Sequence, residues 1–477
     1  MDKIIESLLE IPEETNTIEF KRFDGGSKNI SKIIESIAAM SNTEGGTIVL
    51  GIDDPEKTKL KGEARIYGIE ENKDHYDALG REIQKIEPPL SGIWPPELIQ
   101  TEEGGRRIAL IKIPKASEHL HSVDGHVYVR QEKSNKRLST DEAIQFSYAR
   151  GFQKADKELV DVDFNLLNTE YYIEWVNARG LRGKNVQEIL EKTGLARKEK
   201  SKLLPTRAAV LLFAEYPTDL MDTKCTIRVF QYTGTIETLR QTPNLIGLPK
   251  TISGPVVKLI KDAHVYVLNL LRSGIRIPSG FVTQYQMPER AVQEAITNAV
   301  IHRDYHIKKD IIVKIFEDRI EIENAGLLPY NITARNIGRV RADGYRNDLL
   351  VKHLREFPSP PNLDQNEGVR AMRNEMDAQN LYPPIFWTYP HIQNAVRVIL
   401  LNEKRASEWE KVNFFFQKHK YITNAEAREV TKITQRDKMS KMLKKWVEQG
   451  LLLQIKPSPG YMKGYKYKLA NASELSK

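Results

Sequence analysis

The stretch from Pro288 to Tyr305, PERAVQEAITNAVIHRDY, decides how the rest of the chain is read. Val292, Ala295, Ile296, Ala299 and Val300 recur at helical spacing and predict one buried stripe. Glu294, Asn298 and His302 follow at i, i+4 and i+8, so a carboxylate, an amide and an imidazole share a second face. Pro288 suits the first turn of such a helix, where its missing N–H costs nothing, and the polar HRDY run marks the exit. Glu and Asn four residues apart are by themselves a common solvated face, so their chemistry depends on the neighbouring sequence.

Downstream, Ile311 to Phe316 alternate toward a hairpin at Glu317 and Asp318, and Arg319 to Asn324 return as a second strand ending in N-A-G-L-L-P. Gly344-Tyr-Arg-Asn-Asp-Leu-Leu350 and Glu367-Gly-Val-Arg-Ala-Met372 come next. A glycine before a helix lets backbone N–H groups cradle phosphate oxygens, since nothing blocks their approach and the helix start favours anions. In this order the motifs resemble the nucleotide-binding region of GHKL-type ATPases, in the form found in RecG-related ATP-binding proteins. The resemblance implies that Glu294 activates water and that Asn298 holds the magnesium ion bridging the phosphates of ATP. It also implies nucleotide contacts for His302, Asn324, Gly326, Arg346, Asn347 and Gly368. The pattern departs from the family in two places: Ala325 replaces the proline of N-P-G-x-L-P, and one glycine, Gly368, stands for two in the phosphate loop. Where wider GHKL proteins place an aspartate against adenine, Asn324 offers an amide oxygen without the charge. No G-x-x-x-x-G-K-[ST] sequence occurs, so nothing here predicts a helicase motor.

At 477 residues the chain is too long for one core. No apolar run reaches a membrane span, and MDKIIESLLEIPEE is acidic where a secretion signal is basic, so a soluble, cytoplasmic protein is expected. The single cysteine, Cys225, excludes an intrachain disulfide and a cysteine-based zinc site. The net charge of +8 is unevenly placed. Residues 404–477 hold 17 Lys and Arg against 7 Asp and Glu, a balance of +10, which leaves −2 for the remainder. An appended nucleic-acid-binding module produces such asymmetry.

Near the start, Glu14-x-x-x-x-Glu19-Phe20-Lys21 precedes a helix predicted over Ile30 to Met40. Asn42-Thr-Glu-Gly-Gly46 follows as a turn, then a strand from Thr47 into Gly51-Ile-Asp-Asp54, and later Tyr67-Gly-Ile69 and Tyr128-Val-Arg130. The set resembles the Schlafen AlbA-type domain from about Glu14 to Gln145, and implies an α/β nucleic-acid binder whose relatives include metal-dependent RNases. Glu14, Glu19 and Asp53 or Asp54 offer hard oxygen ligands for Mg²⁺ or Mn²⁺, with Lys21 toward a phosphate. The plainer reading makes Glu14 a first-turn carboxylate, Glu19 and Lys21 the exposed side of an edge strand, and the Asp pair turn chemistry. His119, His121 and His126 are too irregularly spaced for a good metal site.

Thr206 to Ala214, TRAAVLLFA, is read as an apolar strand, Cys225 to Tyr232 as another, and Pro255 to Leu271 as a helix. Trp409 to Lys418, a short helix capped at Thr423-Asn424, and Gln435 to Gln449 precede a hairpin about Pro457 to Gly460. Three helices and a hairpin read as a winged helix-turn-helix. Arg436, Lys438, Lys441 and Lys445 lie off its buried stripe, facing nucleic acid, DNA rather than RNA, or a partner protein.

The sequence is therefore read as an α+β multidomain protein. It has an AlbA-like α/β domain (1–150), a connector (151–255), a GHKL-like α/β sandwich (256–405) and a winged helix (406–477). The expected function is ATP binding and hydrolysis with Mg, acting on nucleic acid in a regulatory or defence role. The alternatives are an ATP-sensing transcriptional regulator without turnover and a metal-dependent nuclease governed by ATP. No membrane partner is expected, and homo-oligomerisation stays open.

Overall fold

The computed structural model describes residues 3–23, 27–101, 105–183, 185–238, 244–275, 282, 284–328, 331–342, 344–361, 368–389, 391–417, 419–455 and 465–470. Glu367 and the turn Pro457 to Gly460 lie outside them. The chain divides into two compact units, Met1–Ser147 with Ala406–Lys477, and Tyr148–Arg405.

In the first unit, strands Ile18–Lys21, Gly46–Leu50, Arg107–Ile113 and Glu97–Gln100 lie side by side in that order. The first pair is parallel and the others antiparallel. A parallel pair needs a crossover, supplied by the helix Ser27–Asn42. Its Ile30, Ile33, Ile34, Ile37 and Ala38 are buried at helical spacing against Ile48, Leu50, Ala109 and Ile111 of the sheet. The alternate positions Ile18, Phe20, Val49, Ile108 and Leu110 face the other side, in a core shared with Ile5 and Leu8 and with Tyr421 and Ile455 of the C-terminal segment. Gly51 runs so close to Gly68 that a methyl there would meet its backbone at 2.9 Å, which explains the glycines of the G-I-D-D and Y-G-I sequences. The C-terminal segment holds helices Ser407–Phe415, Asn424–Thr431 and Arg436–Glu448. A three-stranded antiparallel sheet of Ile422–Thr423, Lys466–Leu469 and Leu452–Ile455 accompanies them. Thr423 caps the second helix in a reciprocal box with Glu426.

The second unit is built on a six-stranded sheet in the order Lys250–Ile252, Ile227–Gln231, Ile311–Ile315, Arg319–Ala325, Ala395–Leu401, Ile385–Trp387. Helices Val256–Ser273, Glu289–Ile301 and Gly368–Ala378 share its core. Two of the strands come from the stretch read as a connector, so residues 151–255 contribute to this sheet.

One expected element changes type. Arg207–Phe213 is a helix, capped by the Thr206 hydroxyl accepting from Ala209 N–H, and Ala208 to Phe213 are all buried. A helix surrounded by core has no polar face, so its sequence carries no period and looks like a buried strand.

Candidate functional site

The motif helix Glu289–Ile301 buries Ala291, Val292, Ala295, Ile296, Ala299 and Val300. That stripe fixes its roll and turns Glu294, Asn298 and His302 onto the wall of a cavity of about 250 Å³. Asn324, at the end of the hairpin strand Arg319–Ala325, lines the same cavity, as does Gly368, the first residue of the helix Gly368–Ala378. Much of the remaining lining is aliphatic, including Leu327, Ile332, Val340 and Val396.

The contact between the two helices is close. A methyl at Gly368 would lie 2.6 Å from Glu294 Oε2 and 3.1 Å from Asn298 Nδ2, so only glycine admits this approach. Burial pushes the Glu294 carboxyl above its usual range, and the Arg290 guanidinium pulls it part of the way back. The Asn298 amide nitrogen is buried with no hydrogen-bond partner. His302 ends the helix, stacks on Tyr345 at 5.5 Å between ring centres, and has a buried Nδ1 without a partner. Burial, with Arg346 and Lys154 adding to it, holds its pKa down to about 4, so the imidazole is neutral at pH 7. Orphaned buried polar atoms facing a cavity are what a polar ligand satisfies.

Three of the expected nucleotide contacts are placed elsewhere. Arg346 is buried and donates to the backbone carbonyls of Tyr148, Ala149 and Leu327. Asn347, fully buried, donates from Nδ2 to the carbonyls of Ile301 at 2.9 Å and Arg303 at 2.8 Å, closing the exit of the motif helix. Gly326 packs over the Arg346 guanidinium, 3.1 Å from where its methyl would be. These residues hold the shell of the site.

Residues 14–139 match the family described as Schlafen, AlbA_2, and residues 308–400 match the family described as putative ATP-dependent DNA helicase recG C-terminal. The chain carries both domains. The recG C-terminal match takes in Asn324, Arg346, Asn347 and Gly368 but begins after the motif helix, so Glu294, Asn298 and His302 stand outside it. No curated protein matches the chain. Among solved structures, that of the DIP2311 protein from Corynebacterium diphtheriae aligns over 98% of each chain at 16% identity with a TM-score of 0.39, a likeness too slight to argue from.

Within the Schlafen AlbA_2 domain, Glu14, Glu19 and Asp54 are all buried and lie near enough to raise the Glu14 carboxyl. Burial is the largest cause of that shift, opposed by Lys21 and reinforced by Glu19 and Asp54. Cations of the chain already neutralise the group. Glu19 pairs with Arg130 at 2.7 Å and Lys21 at 2.5 Å, and Asp54 with Lys57 at 2.6 Å. Glu14 accepts from Phe20 N–H at 2.8 Å. The Asp53 backbone carbonyl accepts from Arg65. Among the described residues no group of three His, Cys, Asp or Glu side chains is placed to hold a metal ion. Lys21, expected toward a phosphate, lies in the ion pair with Glu19. The exposed-edge alternative fails, since Glu19 is buried, and its Arg130 partner explains why E-F-K and Y-x-R occur together. His121 Nδ1 meets the Pro88 carbonyl at 2.7 Å, a structural contact.

On the C-terminal helix Arg436–Glu448, Met439, Leu443 and Trp446 are buried while Arg436, Lys438, Lys441 and Lys445 are exposed. No helix among the described residues is long and apolar enough to cross a membrane. One site residue escaped the sequence reading although it stands in the quoted stretch. Arg290, four before Glu294, also lines the cavity.

Proposed function

We propose that the second unit binds ATP with magnesium and hydrolyses it, and that the protein acts on nucleic acid under the control of that nucleotide. The observation that carries this is the row Glu294, Asn298, His302 on one cavity wall, closed by Gly368 at a helix start. Asn298 would hold a magnesium ion through its amide oxygen, and that ion would supply charge neutralisation on the phosphates. Glu294, its carboxyl raised by burial, is suited to accept a proton from water at neutral pH. The helix Gly368–Ala378 starts against Glu294 and Asn298, and a helix start favours an anion. Asn324 and the neutral His302 supply polar contacts elsewhere on the wall.

The nucleic-acid side of the reading rests on the Schlafen AlbA_2 match and on the exposed basic face of Arg436–Glu448, in a segment we read as a winged helix contacting DNA. We assign the AlbA_2 domain to binding and not to cutting, because its carboxylates are neutralised by Lys21, Lys57 and Arg130.

Calorimetry with ATP and magnesium tests the site. Asn298→Ala is expected to lose magnesium-dependent binding, whereas Glu294→Gln keeps binding and stops phosphate release. Equal affinity in wild type and Asn298→Ala would refute the assignment. Binding without turnover in the wild type would instead make the protein a nucleotide sensor.

A further inference from the structure

The polar row of the motif helix begins a turn before the E-x-x-x-N pattern. Arg290, Glu294, Asn298 and His302 all line the cavity, one residue per turn. Arg290 Nη1 lies 3.5 Å from Glu375 Oε1, with the two side chains 59% and 36% exposed. So long and wet an ion pair holds its partners weakly. Glu375 belongs to the helix Gly368–Ala378, whose first residue abuts Glu294. More positive charge gathers nearby. A methyl at Gly338, which lines the cavity, would lie 3.1 Å from Arg373 Nε, and that atom is buried without a hydrogen-bond partner. Burial lowers the Arg373 pKa and the like charge of Arg339 lowers it further. Arg290 on the cavity wall and the helix start at Gly368 together favour an anion in this cavity.

We propose that Arg290 is the contact for the terminal phosphate of a nucleoside triphosphate in this cavity, and that it reaches that phosphate by releasing Glu375. The inference rests on the nucleotide reading of this cavity and adds to it a residue that separates triphosphate from diphosphate. A guanidinium meets a phosphate through two charge-assisted hydrogen bonds in a fork, which outcompetes a single contact at the limit of hydrogen-bond range. A diphosphate lacks the group and leaves Arg290 with Glu375. Because Glu375 rides on the helix that closes over Glu294, the exchange also links the terminal phosphate to the position of that helix.

Calorimetric titrations with ATP, ADP and adenosine, in excess magnesium, test this in wild type, Arg290→Gln and Glu375→Gln. Arg290→Gln is expected to weaken ATP by about ten- to hundredfold, the range for a hydrogen bond to a charged group, and to change ADP and adenosine by less than about threefold. Glu375→Gln, by removing the competitor, is expected to tighten ATP by about two- to fivefold. Equal losses for ATP and ADP in Arg290→Gln, an unchanged ATP affinity, or weaker ATP in Glu375→Gln would each overturn the proposal. A wild type that binds adenosine and ADP but gains nothing from the third phosphate overturns it while leaving the nucleotide site standing. A wild type that binds none of the three removes both. Arg290 and Glu375 reach solvent, so both variants are expected to melt like the wild type, which separates lost contact from lost fold.

Discussion

Arg346 holds three backbone carbonyls, those of Tyr148, Ala149 and Leu327, from a position with almost no solvent access. Each carbonyl stripped of its donor in a buried setting costs about 1–3 kcal/mol. Arg346→Ala is therefore expected to destabilise the unit by about 3 kcal/mol or more, read as a lower midpoint in denaturant. Below the unfolding range, the surviving folded fraction should bind nucleotide with the wild-type enthalpy. A variant with an unchanged midpoint and no nucleotide binding would make Arg346 a ligand after all. In sequence, R-N before a helix looks the same whether its donors face phosphate or main chain. Burial decides, and burial comes from segments almost 200 residues away along the chain. Arg290 illustrates the opposite case. Its spacing from Glu294 was readable, but an arginine one turn away is ordinary on a solvated helix until a cavity is known to lie beside it.

The pairing of the motif helix with Gly368–Ala378 decides the geometry at Glu294. Gly368 is the first residue of its helix, outside the interior where alanine gains about 1 kcal/mol over glycine, so Gly368→Ala is expected to change the stability of the fold little. The added methyl, however, falls 2.6 Å from Glu294 Oε2, and the carboxylate must move. Hydrolysis is expected to fall at least about tenfold, as for a misplaced catalytic group, while the melting temperature stays put. Full activity in Gly368→Ala would show that Glu294 is not used where it stands. Elements with one wet face, such as Ser27–Asn42 and Arg436–Glu448, were legible from periodicity. Arg207–Phe213 was not, because burial on every side erased the signal.

The two units respond to different variables. In Tyr148–Arg405, burial holds both His264 and His302 down to about 4, against about 6.5 in an unfolded chain. Between those values the unfolded state binds more protons, so stability rises with pH across the window and is lost as pH falls. Full stability is expected above about pH 6.5, with roughly 3 kcal/mol lost per histidine on approaching pH 4. Urea titrations from pH 7 to 4 should show the decline, and His264→Gln should flatten it. A parallel slope in that variant would locate the titration elsewhere. In the other unit, Tyr421 and Ile455 share a core with Ile5, Leu8 and Phe20, so removing the basic tail would also uncover that core. Charge is better tested by substitution. Arg436→Ala with Lys438→Ala and Lys441→Ala should weaken duplex DNA binding and reduce the slope of log affinity against log salt by up to about 3. An unchanged slope would assign the face to a protein partner.

What the sequence determined by itself is whatever local periodicity and short-range spacing encode. The motif helix and its polar row, the hairpin at Glu317, the order of the two matched domains and the basic tail all derive from neighbours within a few turns. What only the tertiary structure decided is which polar groups remain available to a ligand. Arg346, Asn347, Glu19 and Lys21 are absorbed by internal partners, while Asn298, His302 and Arg290 are left on the cavity wall. Availability depends on burial and on counter-charges brought together over long stretches of chain, and a side chain's type and spacing do not specify either.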